Sequence, residues 1–66
     1  MKLIINGQNK ELPHANNLAD VVTACCKVPK NIVTEVNGAI IPCGQWEQVS
    51  VKEGDTIELV SFVGGG

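Results

Sequence analysis

The sequence predicts a small α+β domain in which one helix lies across one face of a mixed β-sheet. Three observations predict this class. Two β-type stretches each enclose an Asn-Gly pair, a segment between them repeats its apolar residues at helical spacing, and a further β-type stretch comes last. The predicted order is therefore hairpin, helix, hairpin, strand, and it leaves the second face of the sheet without an element to cover it.

The opening stretch MKLIINGQNKEL predicts two strands joined at Asn6-Gly7. A two-residue hairpin turn needs positive φ at both positions, and Asn-Gly adopts that conformation at little cost. Because side chains alternate along a strand, Leu3 and Ile5 share one face and Ile4 lies on the other.

The segment from Asn17 to Val28 predicts the helix. Its apolar residues follow the i, i+3, i+4, i+7 spacing of one helix face: Leu18, Val21, Val22 and Cys25. Asn17 suits the N-cap, and Asp20 favours the helix start electrostatically. Pro29 is expected to end the helix.

The stretch IVTEVNGAII predicts a second hairpin that turns at Asn37-Gly38, with Pro42 closing its outgoing strand. The following CGQWEQ is expected to be irregular. Trp46, the larger of the two aromatic residues, is expected to lay its ring over the core from that connection.

The last stretch, VSVKEGDTIELVSF, predicts a turn at residues 53–55 and then a strand. Alternation places Ile57 and Leu59 on one face of this strand. The opposite face carries Glu58, Val60 and Phe62.

Length and composition predict one globular domain. A chain of 66 residues buries roughly 60% of the surface that its unfolded form exposes, so modest stability is expected. The net charge is −2, and the five basic residues are scattered, which argues against nucleic-acid binding. No stretch approaches the ~20 apolar residues of a membrane helix or forms a signal peptide, so we expect no membrane partner and a cytoplasmic location.

Three cysteines, an odd number, form neither a disulfide framework nor a usual metal spacing, so we expect no metal site. Cys25 is expected in the core and Cys26 partly so, because free cysteine packs as a small apolar residue. Cys43 follows Pro42 in a loop, where its thiol is exposed. His14 has no catalytic partner in sequence and is expected to be a solvated loop residue.

The terminal SFVGGG carries three successive glycines, which pack nothing into a core. Two interpretations stay open at this point. The glycines are a frayed end, or the carboxylate of Gly66 is a reactive group on an arm slim enough to enter another protein's active site.

Taken together, TEVNGAIIPCGQW and KEGDTIELVSFVGGG resemble the ThiS type of sulfur carrier protein in thiamine biosynthesis, a ubiquitin-like β-grasp family. The resemblance covers the whole chain, and its most specific parts are EVNG, the Gly54-Asp55 turn and the terminal VGGG. It implies a β-grasp domain over residues 1–63 and a flexible glycine tail over residues 64–66. One departure is Cys43, since this loop position is often basic in the family.

The resemblance also implies a function carried by Gly65 and Gly66. An adenylating enzyme related to ubiquitin-activating enzymes uses ATP to activate the Gly66 carboxylate. Sulfur from a cysteine persulfide, supplied by a cysteine desulfurase or another donor, then yields a C-terminal thiocarboxylate that serves thiazole synthase. The carrier is implied to be a monomer that binds no cofactor and is not itself an enzyme.

In the β-grasp arrangement the first and last strands lie side by side. We therefore expect Ile4 to neighbour Val60 and Phe62 on the face away from the helix, where clustered apolar groups mark a partner site. Val63 and Gly64 extend this expected docking surface toward the tail.

Several alternatives stay open from the sequence. The small subunit of molybdopterin synthase also ends in Gly-Gly, although it is longer, and other carriers supply cysteine or siderophore assembly. A β-grasp interaction module with an inert tail belongs to a different class. So does a small thiol redox protein that uses Cys25 and Cys26.

Overall fold

The described part of the chain, residues 1–26 and 31–61 of a computed structural model, contains five strands and one α-helix. Their bounds in chain order are β1 (Lys2–Ile5), β2 (Gln8–Glu11), α1 (Leu18–Cys25), β3 (Ile32–Val36), β4 (Ala39–Ile41), a 3₁₀ helix (Cys43–Gln48) and β5 (Thr56–Ser61). Within these residues, no helix has the length and hydropathy needed to cross a membrane.

The five strands form one mixed sheet in the order β2-β1-β5-β3-β4. β1 and β5, which are far apart in sequence, pair in parallel at the centre, and every other pairing is antiparallel. The expected α+β class with a mixed sheet is confirmed, and so is the adjacency of the first and last strands.

Both Asn-Gly pairs form the tight turns that the sequence predicts. Asn6 and Gly7 have φ of 52° and 79°, and Asn37 and Gly38 have φ of 51° and 89°. Positive φ at both central positions matches the right-handed twist of the strands that the turn joins. Each turn therefore sets the register of its hairpin locally.

The start of α1 is the predicted one. The Asn17 side chain accepts a hydrogen bond from the Asp20 amide at 2.9 Å, and the Asp20 carboxylate accepts one from the Asn17 amide at 3.2 Å. This reciprocal pair is a capping box, which satisfies two backbone donors that a helix start leaves free.

The end of α1 differs from the prediction. The helix stops at Cys25, and Cys26 is extended with φ −128° and ψ 127°. The expected continuation to Val28 is therefore wrong at Cys26, while Val28 and Pro29 lie outside the described residues. The exposed side chain of Cys25 explains the difference, because it makes no core contact that would stabilise a further turn.

The core lies between α1 and one face of the sheet, here called the inner face. Its eight buried apolar residues are Leu3, Ile5, Ala15, Leu18, Val21, Val22, Val51 and Ile57. The expectation that Cys25 belongs to this core is wrong. Cys26 packs partly against the core instead, as expected for it, because the helical spacing no longer applies once the backbone becomes extended.

Trp46 lies over the core from the connection after β4, as expected, and it is half-buried. Its indole Nε1 donates a hydrogen bond to the Thr34 hydroxyl at 3.0 Å, and that hydroxyl donates to the Ile41 carbonyl at 2.8 Å. The surrounding CGQWEQ segment is a 3₁₀ helix, not the irregular stretch expected. Pro42 starts it with φ −61°, and its carbonyl accepts from the Gln45 amide at 2.9 Å.

The start of β5 is held by the turn of the second hairpin. The Asn37 side chain donates to the Asp55 carboxylate at 3.1 Å and accepts from the Thr56 amide at 3.0 Å. Asp55, which is buried, also accepts from the Lys52 amide at 2.8 Å, while Gly54 adopts φ 86° in the turn between them. The EVNG and Gly54-Asp55 motifs therefore act together to position β5.

We predict that Thr34→Val lowers the free energy of unfolding by about 1–3 kcal/mol, because the isosteric change leaves the Trp46 N–H and the Ile41 carbonyl without their partner. Urea unfolding followed by Trp46 fluorescence measures this. Thr56→Val, at an exposed position of β5, is the matched control and should change stability by less than about 0.5 kcal/mol. Equal effects of the two substitutions would contradict the role assigned to the Thr34 hydroxyl.

Candidate functional site

The sheet face opposite α1, here called the outer face, is the candidate docking surface. The strand registers place ten side chains there: Lys2, Ile4, Asn9, Glu11, Val33, Glu35, Ile40, Thr56, Glu58 and Val60. Three of them are large apolar side chains with high solvent exposure, at 37% for Val33, 67% for Ile40 and 52% for Val60. An apolar patch of this kind on a small domain is typical of a surface that meets a partner.

The register corrects the expected neighbours on this face. Ile4 pairs with Thr56, whereas Val60 pairs with Val33 of β3. β1 ends at Ile5, opposite Ile57, so Val60 lies beyond the end of β1 and Ile4 is not its neighbour. Val60 therefore belongs to an apolar pair that the sequence reasoning missed.

The side chains missed from sequence are those contributed by β3 and β4. Alternation in IVTEV puts Val33 and Glu35 on the face opposite the buried Thr34, and this signal is visible in the sequence. The pairing of Val33 with Val60 is not visible in the sequence, because it depends on the register between two strands about 27 residues apart.

Two acidic side chains of the outer face lie next to each other on β3 and β5. Glu35 and Glu58 are directly opposite each other across β3 and β5, and Ile40 faces Glu35 from β4. Opposite residues in an antiparallel pair have Cβ atoms roughly 4.5–5.5 Å apart. In the described residues the ion pair present joins the Met1 amino group to Glu11 at 2.8 Å, away from these two carboxylates.

The expected reactive end continues from β5. This strand is described to Ser61, which pairs with Ile32 next to the Val33–Val60 pair. The predicted site residues Phe62, Val63, Gly64, Gly65 and Gly66 all lie outside the described residues, so their roles stay predictions. The boundary at residue 63 between a domain and a flexible tail stays a prediction for the same reason.

A second candidate site is a cleft of about 510 Å³ beside the end of α1. Both helix-end cysteines line it, together with Lys10, Ile32, Leu59 and Ser61. Partial desolvation, and next the neighbouring Cys26, raise the pKa of the Cys25 thiol although its side chain is largely exposed, and Lys10 opposes this shift. A raised pKa lowers the thiolate fraction at neutral pH, which does not suit a redox nucleophile.

The other candidate groups are isolated. Cys43 and His14 are exposed, as expected. Across residues 1–26 and 31–61, no three His, Cys, Asp or Glu side chains converge in a way that would hold a metal ion.

A five-stranded mixed sheet with its parallel pair at the centre and one helix across the inner face is the ubiquitin-like β-grasp fold. The crystal structure of the thiamine biosynthesis protein ThiS from Geobacter metallireducens shares it. That structure matches with a TM-score of 0.80 and 30% sequence identity over 100% of both chains.

The ThiS family model matches residues 3–66, and the chain belongs to the ThiS family. This is a family of small sulfur carrier proteins of thiamine synthesis, not of catalytic enzymes. The family assignment agrees with the resemblance carried by the EVNG, Gly54-Asp55 and VGGG motifs.

The chain is also similar to longer proteins. It is 32% identical to a thiazole synthase of Paramagnetospirillum magneticum and 30% identical to a thiazole synthase of Magnetococcus marinus, each over 66 residues. The match includes all of this chain but spans only 20% of the length of either relative.

We predict that Cys25 reacts with alkylating reagents in the folded state, because its side chain is exposed, whereas Cys26 reacts more slowly. The rate at Cys25 should rise with pH, with a midpoint above that of cysteine in a short peptide, since the pKa of this thiol is raised. Pulse labelling with iodoacetamide and peptide mapping measures both, with Cys25→Ser as the control. Labelling of Cys25 only after addition of urea would show this prediction to be wrong.

Proposed function

We propose that this chain carries sulfur as a thiocarboxylate on Gly66 and delivers it for formation of the thiazole ring of thiamine. The observation that carries the proposal is the match of the ThiS family to residues 3–66, which includes the terminal glycines. The uncovered apolar face supports it, since a carrier must dock on enzymes that act on its end.

The chemistry requires activation of Gly66 by a partner. A carboxylate is a poor electrophile, so an adenylating enzyme first joins it to AMP from ATP, with release of pyrophosphate. The terminal sulfur of a cysteine persulfide then attacks the acyl carbon and AMP leaves. Cleavage of the resulting acyl disulfide by a thiol gives the thiocarboxylate.

The glycines suit this task for a steric reason. An acyl carbon flanked by larger side chains would not enter a narrow active site whose walls contact the backbone, whereas Gly65 and Gly66 add no side chain. The chain supplies no catalytic group in this scheme and binds no cofactor. The sulfur comes from a cysteine desulfurase or another persulfide donor.

Two partners follow from the proposal. The adenylating enzyme binds first, and thiazole synthase receives the sulfur. The segment that matches this chain makes up one fifth of each of the two thiazole synthases. This supports thiazole synthase as the second partner, because a carrier-like segment joined to a synthase in one chain meets it at a high effective concentration. We place these steps in the cytoplasm, where ATP is available, and the carrier acts as a monomer.

The docking surface in this proposal is the outer face at the end of β5. Val60 and its neighbour Val33 form its centre, Ile4 lies farther along the face, and Phe62, Val63 and Gly64 are proposed to continue it toward the tail. A partner seated there contacts the strand from which the reactive end departs.

The deciding experiment is the intact mass of the chain after incubation with its cognate adenylating enzyme, ATP and a persulfide source. The expected result is a gain equal to sulfur minus oxygen. An unchanged mass with an enzyme that is active on another ThiS carrier would overturn the proposal. A thiocarboxylate that thiazole synthase does not accept would assign the chain to another sulfur pathway.

We predict that deletion of Gly66 leaves stability within a few tenths of a kcal/mol, because glycine has no side chain to pack. Thiocarboxylate formation should fail, since the deletion withdraws the carboxylate by about 3.5 Å and a misplacement of even ~1 Å can cost about a hundredfold. Gly65→Ala keeps the carboxylate in place but adds a methyl group, and should slow adenylation about tenfold or more. Parental rates for both variants would show that the Gly-Gly end is an inert tail.

We predict that Val60→Asp weakens binding to the adenylating enzyme about tenfold or more, because it places a charge in the apolar centre of the outer face. Val60 is 52% exposed, so stability should change little. Gln45→Asp adds the same charge at an exposed position of the 3₁₀ helix and is the matched control. Calorimetric titration of both variants measures the affinities, and equal values would exclude this face as the docking surface.

A further inference from the structure

The outer face has an unusual distribution of charge for an apolar surface. Glu35 and Glu58 are opposite each other at its centre, and both are only half-buried. Apolar side chains lie close to them: the Val33–Val60 pair is next along the strands, Ile40 faces Glu35 from β4, and Ile4 lies diagonally across from Glu58, beside Thr56. The face therefore presents two carboxylates within an apolar rim.

This arrangement is unfavourable for the fold itself. Like charges directly opposite each other in a sheet are destabilising, and glutamate is a poor strand former. Among the strand residues in the described part of the chain, the basic side chain on this face is Lys2, whose carbonyl accepts from the Gly54 amide at 2.8 Å. Lys2 therefore lies beside Gly54. Because Gly54 is four positions before Glu58, the backbone of Lys2 is displaced from Glu58 by roughly 13 Å along the strand direction. Folding alone gives no reason for two acids at this point.

The pair is suited to a cation brought by a partner. Two adjacent carboxylates together can accept more hydrogen bonds than one ammonium group can donate. The donors of an ammonium group also rotate, so they do not fix its position between the two carboxylates. A guanidinium group has five N–H donors in one plane and can bridge both, and it is less strongly hydrated than an ammonium group, which suits an apolar surround. Arginine is also among the residues that most often dominate interface energies when a ring of apolar contacts excludes water around them.

We propose that the outer face binds a surface of the adenylating enzyme that inserts one arginine between Glu35 and Glu58, with apolar side chains against Val33, Val60 and Ile40. This inference rests on the proposed function and adds the chemistry of the partner surface to it. Electrostatic complementarity selects this partner and sets its register on the sheet, while the apolar rim protects the ion pair from water.

The test compares glutamine variants of the full chain by calorimetric titration with the cognate adenylating enzyme. Glu35→Gln and Glu58→Gln keep the side-chain shape and remove one charge each. Each should weaken binding several-fold, and the double variant about tenfold or more. Glu47→Gln removes the same charge at an exposed position of the 3₁₀ helix and should stay within about twofold of the parent.

A stability measurement separates docking from a structural role. The double glutamine variant should unfold at the same urea concentration as the parent or at a higher one, because it removes a like-charge pair. Weaker binding together with unchanged or higher stability supports the proposal. Lower stability of the double variant would show that the carboxylates serve the fold, and would overturn it.

The arginine is identified by a double-mutant cycle. One Arg→Ala replacement in the adenylating enzyme should weaken binding of the parent chain and have little further effect on the double glutamine variant. Coupling to lysines alone would overturn the assignment of arginine.

Different results would contradict the proposed function and the inference about the partner's arginine. If the parent chain gains sulfur but the double variant binds as tightly as the parent, only this inference is wrong. If the parent chain never gains sulfur, the sulfur carrier proposal is wrong before any variant is compared.

Discussion

The parallel pairing of β1 with β5 is the constraint on which the rest of the structure depends. It joins the first strand to the last described strand through backbone hydrogen bonds of 2.9 Å, from the Ile4 amide to the Asp55 carbonyl and from the Asn6 amide to the Ile57 carbonyl. Parallel neighbours need a long crossover, and α1 with the second hairpin supplies it. The helix therefore lies across one face, and Ile5 and Ile57 are buried beneath it.

A few polar side chains at the turns stabilise this arrangement through hydrogen bonds. Asn37 connects the second hairpin turn to Asp55 and Thr56, and the Asn6 side chain accepts from the Leu59 amide at 2.8 Å. Both asparagines are turn residues with positive φ. The same residue type therefore shapes a hairpin and holds β5 against it, because its short amide side chain reaches neighbouring backbone groups.

The division of the sheet into two faces separates the buried core from the proposed docking surface. The inner face carries the buried core, whereas the outer face carries exposed valines and an isoleucine around two opposed carboxylates. Substitutions of the exposed side chains on the outer face remove little packed surface, so they should change the stability of the fold little. This separation suits the docking proposed for the outer face, because a partner seated there would leave the buried core undisturbed.

The features with local causes could be predicted from the sequence. Asn6-Gly7 and Asn37-Gly38 specify their turns through φ, and Asn17 with Asp20 specifies the helix start through hydrogen bonds three residues apart. The family motifs at the turns and at the terminal glycines likewise indicated the sulfur carrier class. Each of these signals lies within a few neighbouring residues.

The end of α1 and the neighbours on the outer face depend on contacts between distant residues and could not be predicted from the sequence. The helical spacing predicted Cys25 in the core, but packing ends the helix there and Cys26 makes the contact. The register between β1, β3 and β5 moves Val60 from Ile4 to Val33 and brings Glu35 opposite Glu58. Alternation within a strand predicts which of its side chains share a face. It does not predict the register between two strands, because the register depends on contacts between residues that are distant in the chain.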